Sequence, residues 1–178
     1  MSGKKDIVEK AKGEMRLTER ILAALPGFRG YKEKEIRRES DRLIRNHLYQ
    51  RLTQARGDLK ESFQTLSERS VQEVLPDMDR LIMRFDRVSE KINHASYGYA
   101  GFFNIVKIEE EELDKMIGFD TGLIDEVDNI VEESSTFRKE VAREDFQNAR
   151  NHITNVNDML AALEDTFEQR HEVIEGAM

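Results

Sequence analysis

The residues of this sequence best suited to chemistry are its four histidines and the carboxylates near them. Glu168 and His171 lie three positions apart, and Glu90 and His94 lie four apart, so on a helix each pair shares one face. Metal-carboxylate bundle enzymes need carboxylates from several helices and a Glu-x-x-His motif on each of two. Only one pair has that spacing, so a metal-carboxylate enzyme is the third of our functional hypotheses. Histidines on the surface or rim are the preferred interpretation, and we assign no metal site.

Asp120, Thr121 and Gly122 spell the Asp-Thr-Gly string of aspartic proteases. That chemistry needs two aspartates facing each other so that one stays protonated, and the surrounding pattern here is helical. We expect Asp120 or Thr121 to cap the start of a long helix instead. The chain has no cysteine, no nucleotide-binding fingerprint and no nucleophile-elbow motif. The sequence therefore predicts a protein that is not an enzyme and uses no cofactor.

The 178 residues carry 28 Lys and Arg against 36 Asp and Glu, a formal net charge of −8. This surplus of acid argues against a nucleic-acid partner, because phosphate neutralisation needs a surplus of base. No apolar run is long enough to span a membrane, and the N-terminus lacks the apolar core of a secretory signal, so we expect a cytoplasmic protein.

Residues 29–60 hold ten basic against five acidic residues, and residues 109–145 hold fourteen acidic against four basic. We expect these two stretches to be neighbours.

The spacing of apolar residues predicts the elements that position these groups. Apolar side chains recur every third or fourth residue along most of the chain, which is typical of amphipathic helices, and over 48–66 the steps approach a coiled-coil seam. The pattern predicts a single all-α domain over 1–178: an elongated, antiparallel, coiled-coil-like helical bundle of two long helices plus two or three shorter ones. Pro76 either kinks or breaks the chain, and an offset in the stripe near Asp145 is interpreted as a stutter. The predicted helices cover about 5–24, 31–75, 77–95, 109–117 and 121–173.

Residues 96–108 differ from the rest of the chain. This predicted loop holds Tyr97, Tyr99, Phe102 and Phe103, four of the aromatics among a total of 9 Phe and 4 Tyr, together with two glycines. Aromatic side chains on a loop are good anchors for a protein partner. The alternative is that they plug the open end of the bundle, and both interpretations are compatible.

A second candidate surface is basic. Lys34, Arg38, Arg42 and Arg45 follow one another at spacings of four, four and three, so they share a helical face that suits an anionic membrane surface. Acidic residues are interleaved with them, which favours a solvated or acid-paired face. The long helical hairpin, with its interleaved charges, resembles in shape the phage-shock-protein type of membrane scaffold. That resemblance is of shape alone and assigns no residues.

The leading functional hypothesis is a non-enzymatic interaction or scaffold protein that self-associates through its apolar stripes, as a homo-oligomer, or binds a protein partner. It depends on the near-heptad apolar stripes and on the lack of a catalytic constellation. The first alternative is a peripheral protein of anionic membranes. The second is the metal-carboxylate bundle enzyme.

Overall fold

The computed structural model describes residues 19–28, 34–95 and 110–176, and the side chains of 19–28, 39–95 and 114–172. These ranges contain helices and turns and no strand, so the predicted all-α helical bundle is confirmed. Residues 19–24 are helical. None of the helices in these ranges combines the length and the apolar character needed to cross a bilayer. The four main helices are α1 (Lys34–Glu68), α2 (Leu75–His94), α3 (Glu110–Ala142) and α4 (Ala149–Gly176).

The four helices form two antiparallel hairpins, α1–α2 and α3–α4, packed side by side. α1 contacts α2 and α3, and α4 contacts α3 and α2, so α1 and α4 lie on one diagonal of the bundle. Arg51 of α1 pairs with Asp128 of α3, and Glu61, further along α1, pairs with Arg138, further along α3. These two helices therefore run parallel. Both hairpin turns therefore lie at one end, which we call the apex. The other end, where α1 and α3 begin and α2 and α4 finish, is the base.

The basic and acidic stretches of the sequence are neighbours, as predicted, because α1 packs along α3. The ion pairs between them run in both directions. Arg51 of α1 lies 2.7 Å from Asp128 of α3, whereas Arg138 of α3 lies 2.9 Å from Asp58 of α1. The predicted antiparallel packing is found within each hairpin, and the two longest helices lie parallel.

The main difference from the sequence prediction is the last helix. The predicted helix over 121–173 is two helices, α3 and α4, that reverse direction at residues 143–148. The predicted helix over 109–117 is the beginning of α3, which continues without interruption through residues 118–122. The stripe offset near Asp145 marks the hairpin turn, not a stutter. Folding back lets the apolar stripes of α3 and α4 bury each other, which one straight rod of this length cannot do.

Both hairpin turns use the same backbone device. Val71 N–H donates to Leu66 C=O and Ser70 N–H to Ser67 C=O, which is the Schellman pattern that ends a helix. Asp145 and Glu144 donate to Glu140 and Val141 in the same way at the end of α3. The left-handed residue is Ser70, with φ 57°, in the first turn and Glu144, with φ 63°, in the second. Pro76 is one of the first residues of α2, so it follows a complete break in the chain.

The core is a continuous apolar column between the four helices. It also includes side chains of the N-terminal segment, whose helix ends where Gly27 takes a left-handed φ of 97°. The core takes up nearly all the large apolar side chains of the described ranges, and Leu22 and Met83 are the two that stand exposed. Fully buried members from each of the four helices and the N-terminal segment include Ile21, Leu48, Leu52, Met78, Phe85, Leu123, Phe137, Val156 and Leu160.

Candidate functional site

In each of the two histidine–carboxylate pairs, the carboxylate belongs to a surface ion pair. His94 Nε2 lies 2.9 Å from Glu90 Oε2 on α2, and both side chains are largely exposed. Glu168 on α4 pairs with Lys91 of α2, which lowers the pKa of the Glu168 carboxyl through a hydrogen bond and the neighbouring positive charge. Across the described ranges, no group of three or more His, Asp or Glu side chains is arranged to hold a metal ion.

The predicted partner-binding residues Tyr97, Tyr99, Phe102 and Phe103 lie outside the described residues. The helices on either side of them are described: α2 ends at the base and α3 begins there. The predicted basic face also lies at the base, because Lys34, Arg38 and Arg42 belong to the first turns of α1. The ends of α2 and α3 that flank the aromatic residues in the sequence thus lie at the same end of the bundle as the predicted basic face.

The position of Arg45 differs from the predicted basic face. Its side chain is only 12% exposed, and its Nε donates to Asp41 Oδ2 at 2.9 Å while its Nη1 donates to the Asn93 carbonyl at 3.0 Å. Arg42 on the same helix is exposed. Arg45 is therefore part of the interior, because Asp41 one turn earlier draws its guanidinium inward, and it does not belong to an exposed four-residue face.

Arg45 and Asp41 belong to a buried charge cluster with Asp120 and Arg170, and this cluster is the most unusual feature of the base. Arg170 of α4 is 1% exposed, and its Nε donates to Asp120 Oδ1 on α3 at 2.6 Å. Its Nη2 donates to Asp41 Oδ1 on α1 at 3.2 Å, across the diagonal of the bundle. With the bond from Arg45 to the Asn93 carbonyl of α2, the cluster links all four helices.

The described members of the buried charge cluster, two guanidinium groups and two carboxylates, carry no net charge together. Asp41 and Asp120 are 2% and 0% exposed, so both carboxylates are closed to solvent and held by hydrogen bonds. Charges buried in this way cost free energy to desolvate and require good partners. The arrangement offers neither a free base nor an open coordination position, and we interpret it as a polar layer that fixes the register of the four helices at the base.

Sequence reasoning missed this cluster, although one signal was present. Three members of the cluster continue the spacing of an apolar stripe. Asp41 lies three residues before Ile44, Asp120 lies three before Leu123, and Arg170 lies three after Phe167. The prediction that Asp120 or Thr121 caps a helix is wrong, because both lie inside α3 and are buried. Thr121 Oγ1 donates to the Ile117 carbonyl one turn back, a common way for a mid-helix threonine to satisfy its hydroxyl.

A second polar cluster, the histidine clasp, lies near the apex in the hairpin α3–α4. His152 Nδ1 lies 2.9 Å from Glu133 Oε1 and its Nε2 lies 2.9 Å from Glu140 Oε2, while its ring stacks on Phe137. Asn155 Nδ2 also donates to Glu133 Oε1, at 3.0 Å. Burial lowers the pKa of His152, but the hydrogen bonds to the two glutamates and their negative charges together outweigh burial, so the pKa is raised from 6.5.

The histidine clasp suits a protonated imidazole. An imidazolium donates from both ring nitrogens, whereas the neutral ring can donate from only one. The two carboxylates meet opposite edges of the ring, so they do not converge on a point where one ion could bind. The clasp therefore makes its full set of hydrogen bonds between α3 and α4 only when the imidazole is protonated.

The fold and these clusters define a class of protein, an all-α bundle of two side-by-side helical hairpins with a charged layer inside its base. No family model, no curated protein and no solved structure gives a significant match to the chain. The functional proposals that follow therefore depend on the chain's own residues.

Proposed function

We propose that this chain is a non-enzymatic interaction protein whose helical bundle is a rigid support for a partner-binding surface at its base. The observation that carries the proposal is that the apolar stripes of all four helices face one another inside the chain. A stripe that is already buried has no contact area left for a second molecule. Any association must therefore use another surface.

The aromatic–glycine segment, residues 96–108, is the best candidate for that surface. It is richer in aromatic residues than any other stretch of the chain, and it joins α2 to α3 at the base. Aromatic side chains carry a large part of the binding energy in many protein interfaces. The partner is either a second copy of this chain or another protein.

The two polar clusters of the described ranges support the non-enzymatic part of the proposal. In the described ranges the most deeply buried ionisable groups, those of the buried charge cluster, bond to one another. The histidine clasp likewise uses both of its ring nitrogens. Neither cluster leaves a titratable group aimed at an open cavity, as a general acid or base would need.

The experiment compares two serine variants, one double and one single, with wild-type protein by light scattering over a range of protein concentrations. We expect wild-type protein to form an oligomer that dissociates in Phe102→Ser/Phe103→Ser but persists in the control Met83→Ser, which removes an exposed apolar side chain on α2.

If wild-type protein is monomeric, a photo-crosslinking residue at Tyr99 and one at Met83 are compared in extract of the source cells. Crosslinks to a defined protein from position 99 and not from position 83 support a separate partner. A monomer that gives equal crosslinks from both positions contradicts the proposal.

Contact with anionic membranes stays the alternative, with a smaller basic face than predicted. Lys34, Arg38 and Arg42 share the helical spacing, and Arg42 is exposed, whereas Arg45 is bonded in the interior. Co-sedimentation with vesicles of phosphatidylserine and phosphatidylcholine tests it. Salt-sensitive pelleting that Arg42→Gln weakens, and that Arg87→Gln on α2 leaves unchanged, would favour the membrane over a protein partner.

A further inference from the structure

The seam between α2 and α4 has an uneven distribution of charge along its length. These helices run parallel, as shown by a bond between Arg84 and Asn157 near their beginnings and one between Lys91 and Glu164 further along. Both helices begin at the apex. Their N-termini therefore lie side by side, and each contributes a partial positive charge from its unpaired backbone N–H groups.

The half of the seam nearer the base is balanced by acidic residues. Glu164 lies within 3.5 Å of Arg87 and within 3.4 Å of Lys91, and Glu168 also pairs with Lys91. Arg84, at the boundary with the other half, lies 3.7 Å from Glu164 as well. Every basic side chain named in this half thus has a carboxylate partner.

The half nearer the apex contains an open cleft of about 420 Å³ with three arginines in its lining, which we call the arginine cleft. Arg80 and Arg84 come from α2 and Arg150 from α4, and the one acidic side chain in the lining is Asp77, which pairs with Arg80. Arg84 also lies 3.7 Å from Glu164, which is outside the lining, so Arg150 is the arginine of the cleft whose charge no carboxylate of the described ranges offsets. The volume falls in the range of small-molecule sites.

Two of these arginines have unused donors. Arg84 donates through Nη1 to Asn157 Oδ1 at 2.7 Å, but its Nε is buried and has no hydrogen-bond partner in the described chain. Buried N–H groups without a partner are rare and point to a missing acceptor. Arg150 makes no ion pair with any residue in the described ranges, and it lies in the first turn of α4, where a cation opposes the helix dipole.

We propose that the arginine cleft binds a phosphate group carried by a small molecule, or free phosphate itself. Guanidinium groups form two-pronged hydrogen bonds with phosphate oxygens, and adjacent helix N-termini favour the same anions. A dianion placed between Arg84 and Arg150 gives the Arg84 Nε an acceptor and offsets the positive charge at both helix ends. Leu81 and Ile153 supply apolar contact for an organic part of the ligand.

The test is calorimetric titration with inorganic pyrophosphate and with adenosine monophosphate, at constant ionic strength. We expect wild-type protein to bind at least one of the two probes at a single site. Arg150→Gln should weaken binding by about tenfold, the usual scale for one charge-assisted hydrogen bond. It should leave the fold intact, because Arg150 is exposed and makes no ion pair in the described ranges. Circular dichroism checks the fold of each variant.

The control is Arg87→Gln, which removes the same charge from the same seam where Glu164 already balances it. We expect this variant to bind as wild type does. Binding to pyrophosphate alone indicates a site for the inorganic anion, and binding to both probes indicates a site for a phosphorylated small molecule. The proposal is overturned if wild-type protein binds neither probe, or if Arg87→Gln weakens binding as much as Arg150→Gln.

Discussion

The base and the apex of this bundle both join helices through charged side chains, but they do so with different chemistry. At the base, the buried charge cluster pairs two arginines with two aspartates and is nearly sealed from solvent. At the apex, the histidine clasp places one imidazole between Glu133 and Glu140, whose side chains are 19% and 29% exposed. The described members of the cluster carry no net charge when all four are ionised, whereas the charge of the clasp depends on whether His152 is protonated.

This difference separates two roles for a buried charge. A guanidinium keeps its proton at any pH that a protein experiences, so the charge of the two arginines at the base does not change across the physiological pH range. The buried charge cluster also joins two helices that lie diagonally opposite each other, since Arg170 of α4 bonds to Asp41 of α1. The clasp acts within one hairpin. We therefore expect damage at the base to have the larger effect on stability, and damage at the apex to have the clearer dependence on pH.

The largest expected effect follows from Arg170→Met. It removes the guanidinium that bonds to the buried Asp120, and removing one partner of a buried ion pair typically costs about 3–5 kcal/mol of unfolding free energy. Urea denaturation monitored by circular dichroism measures this loss.

The double variant Arg170→Met/Asp120→Leu is the matched control. It removes the opposite charges together and leaves Asp41 paired with Arg45. We expect it to regain most of the lost stability, because replacing a buried ion pair by apolar side chains is often neutral. A double variant less stable than Arg170→Met alone would contradict our interpretation of the cluster as a balanced pair of charges.

The next effect concerns pH. The folded state raises the pKa of His152 above the ordinary value of 6.5 that applies to the unfolded chain. The clasp therefore stabilises the fold fully below pH 6.5, and this contribution is lost as the pH rises through the raised pKa. His152→Gln should lose about 2 kcal/mol at mildly acidic pH, because the charge-assisted hydrogen bonds are gone.

The measurement is the free energy of unfolding in urea at a series of pH values from mildly acidic to mildly alkaline. Wild-type protein should become less stable relative to His152→Gln as the pH rises, so that the two curves converge. His94→Gln is the control, since His94 is exposed on α2 and pairs only with its neighbour Glu90 in the described ranges. Its curve should follow that of wild type, and parallel curves for wild type and His152→Gln would show that His152 does not titrate in this range.

The sequence allowed the helical class, the neighbouring basic and acidic stretches and most core positions to be predicted, because these depend on local periodicity and on the sum of charges. The buried charge cluster depends on contacts between residues far apart in the chain, such as Asp41 and Arg170. A charged residue at the end of an apolar stripe looks like the end of the buried face, and only tertiary packing shows that the face continues. The turn at 143–148 was missed for a related reason. Glu144 adopts a left-handed φ that usually signals glycine, so no breaker marked the turn.

The smallest effect comes from the hairpin turns at the apex, where a substitution should stabilise the protein. Ser70 has a φ of 57°, a conformation that costs a residue with a Cβ about 1–2 kcal/mol and costs glycine little. Glycine is also more flexible in the unfolded chain, which offsets part of the gain. We therefore expect Ser70→Gly to raise the free energy of unfolding by about 0.5–1 kcal/mol. Ser135→Gly is the same substitution in the interior of α3, where glycine weakens a helix, and it should lower the free energy of unfolding by about 0.5 kcal/mol. A loss of stability in both variants would mean that the Schellman turn at Ser70 is not under strain, and that the packing on either side of it holds the break between α1 and α2.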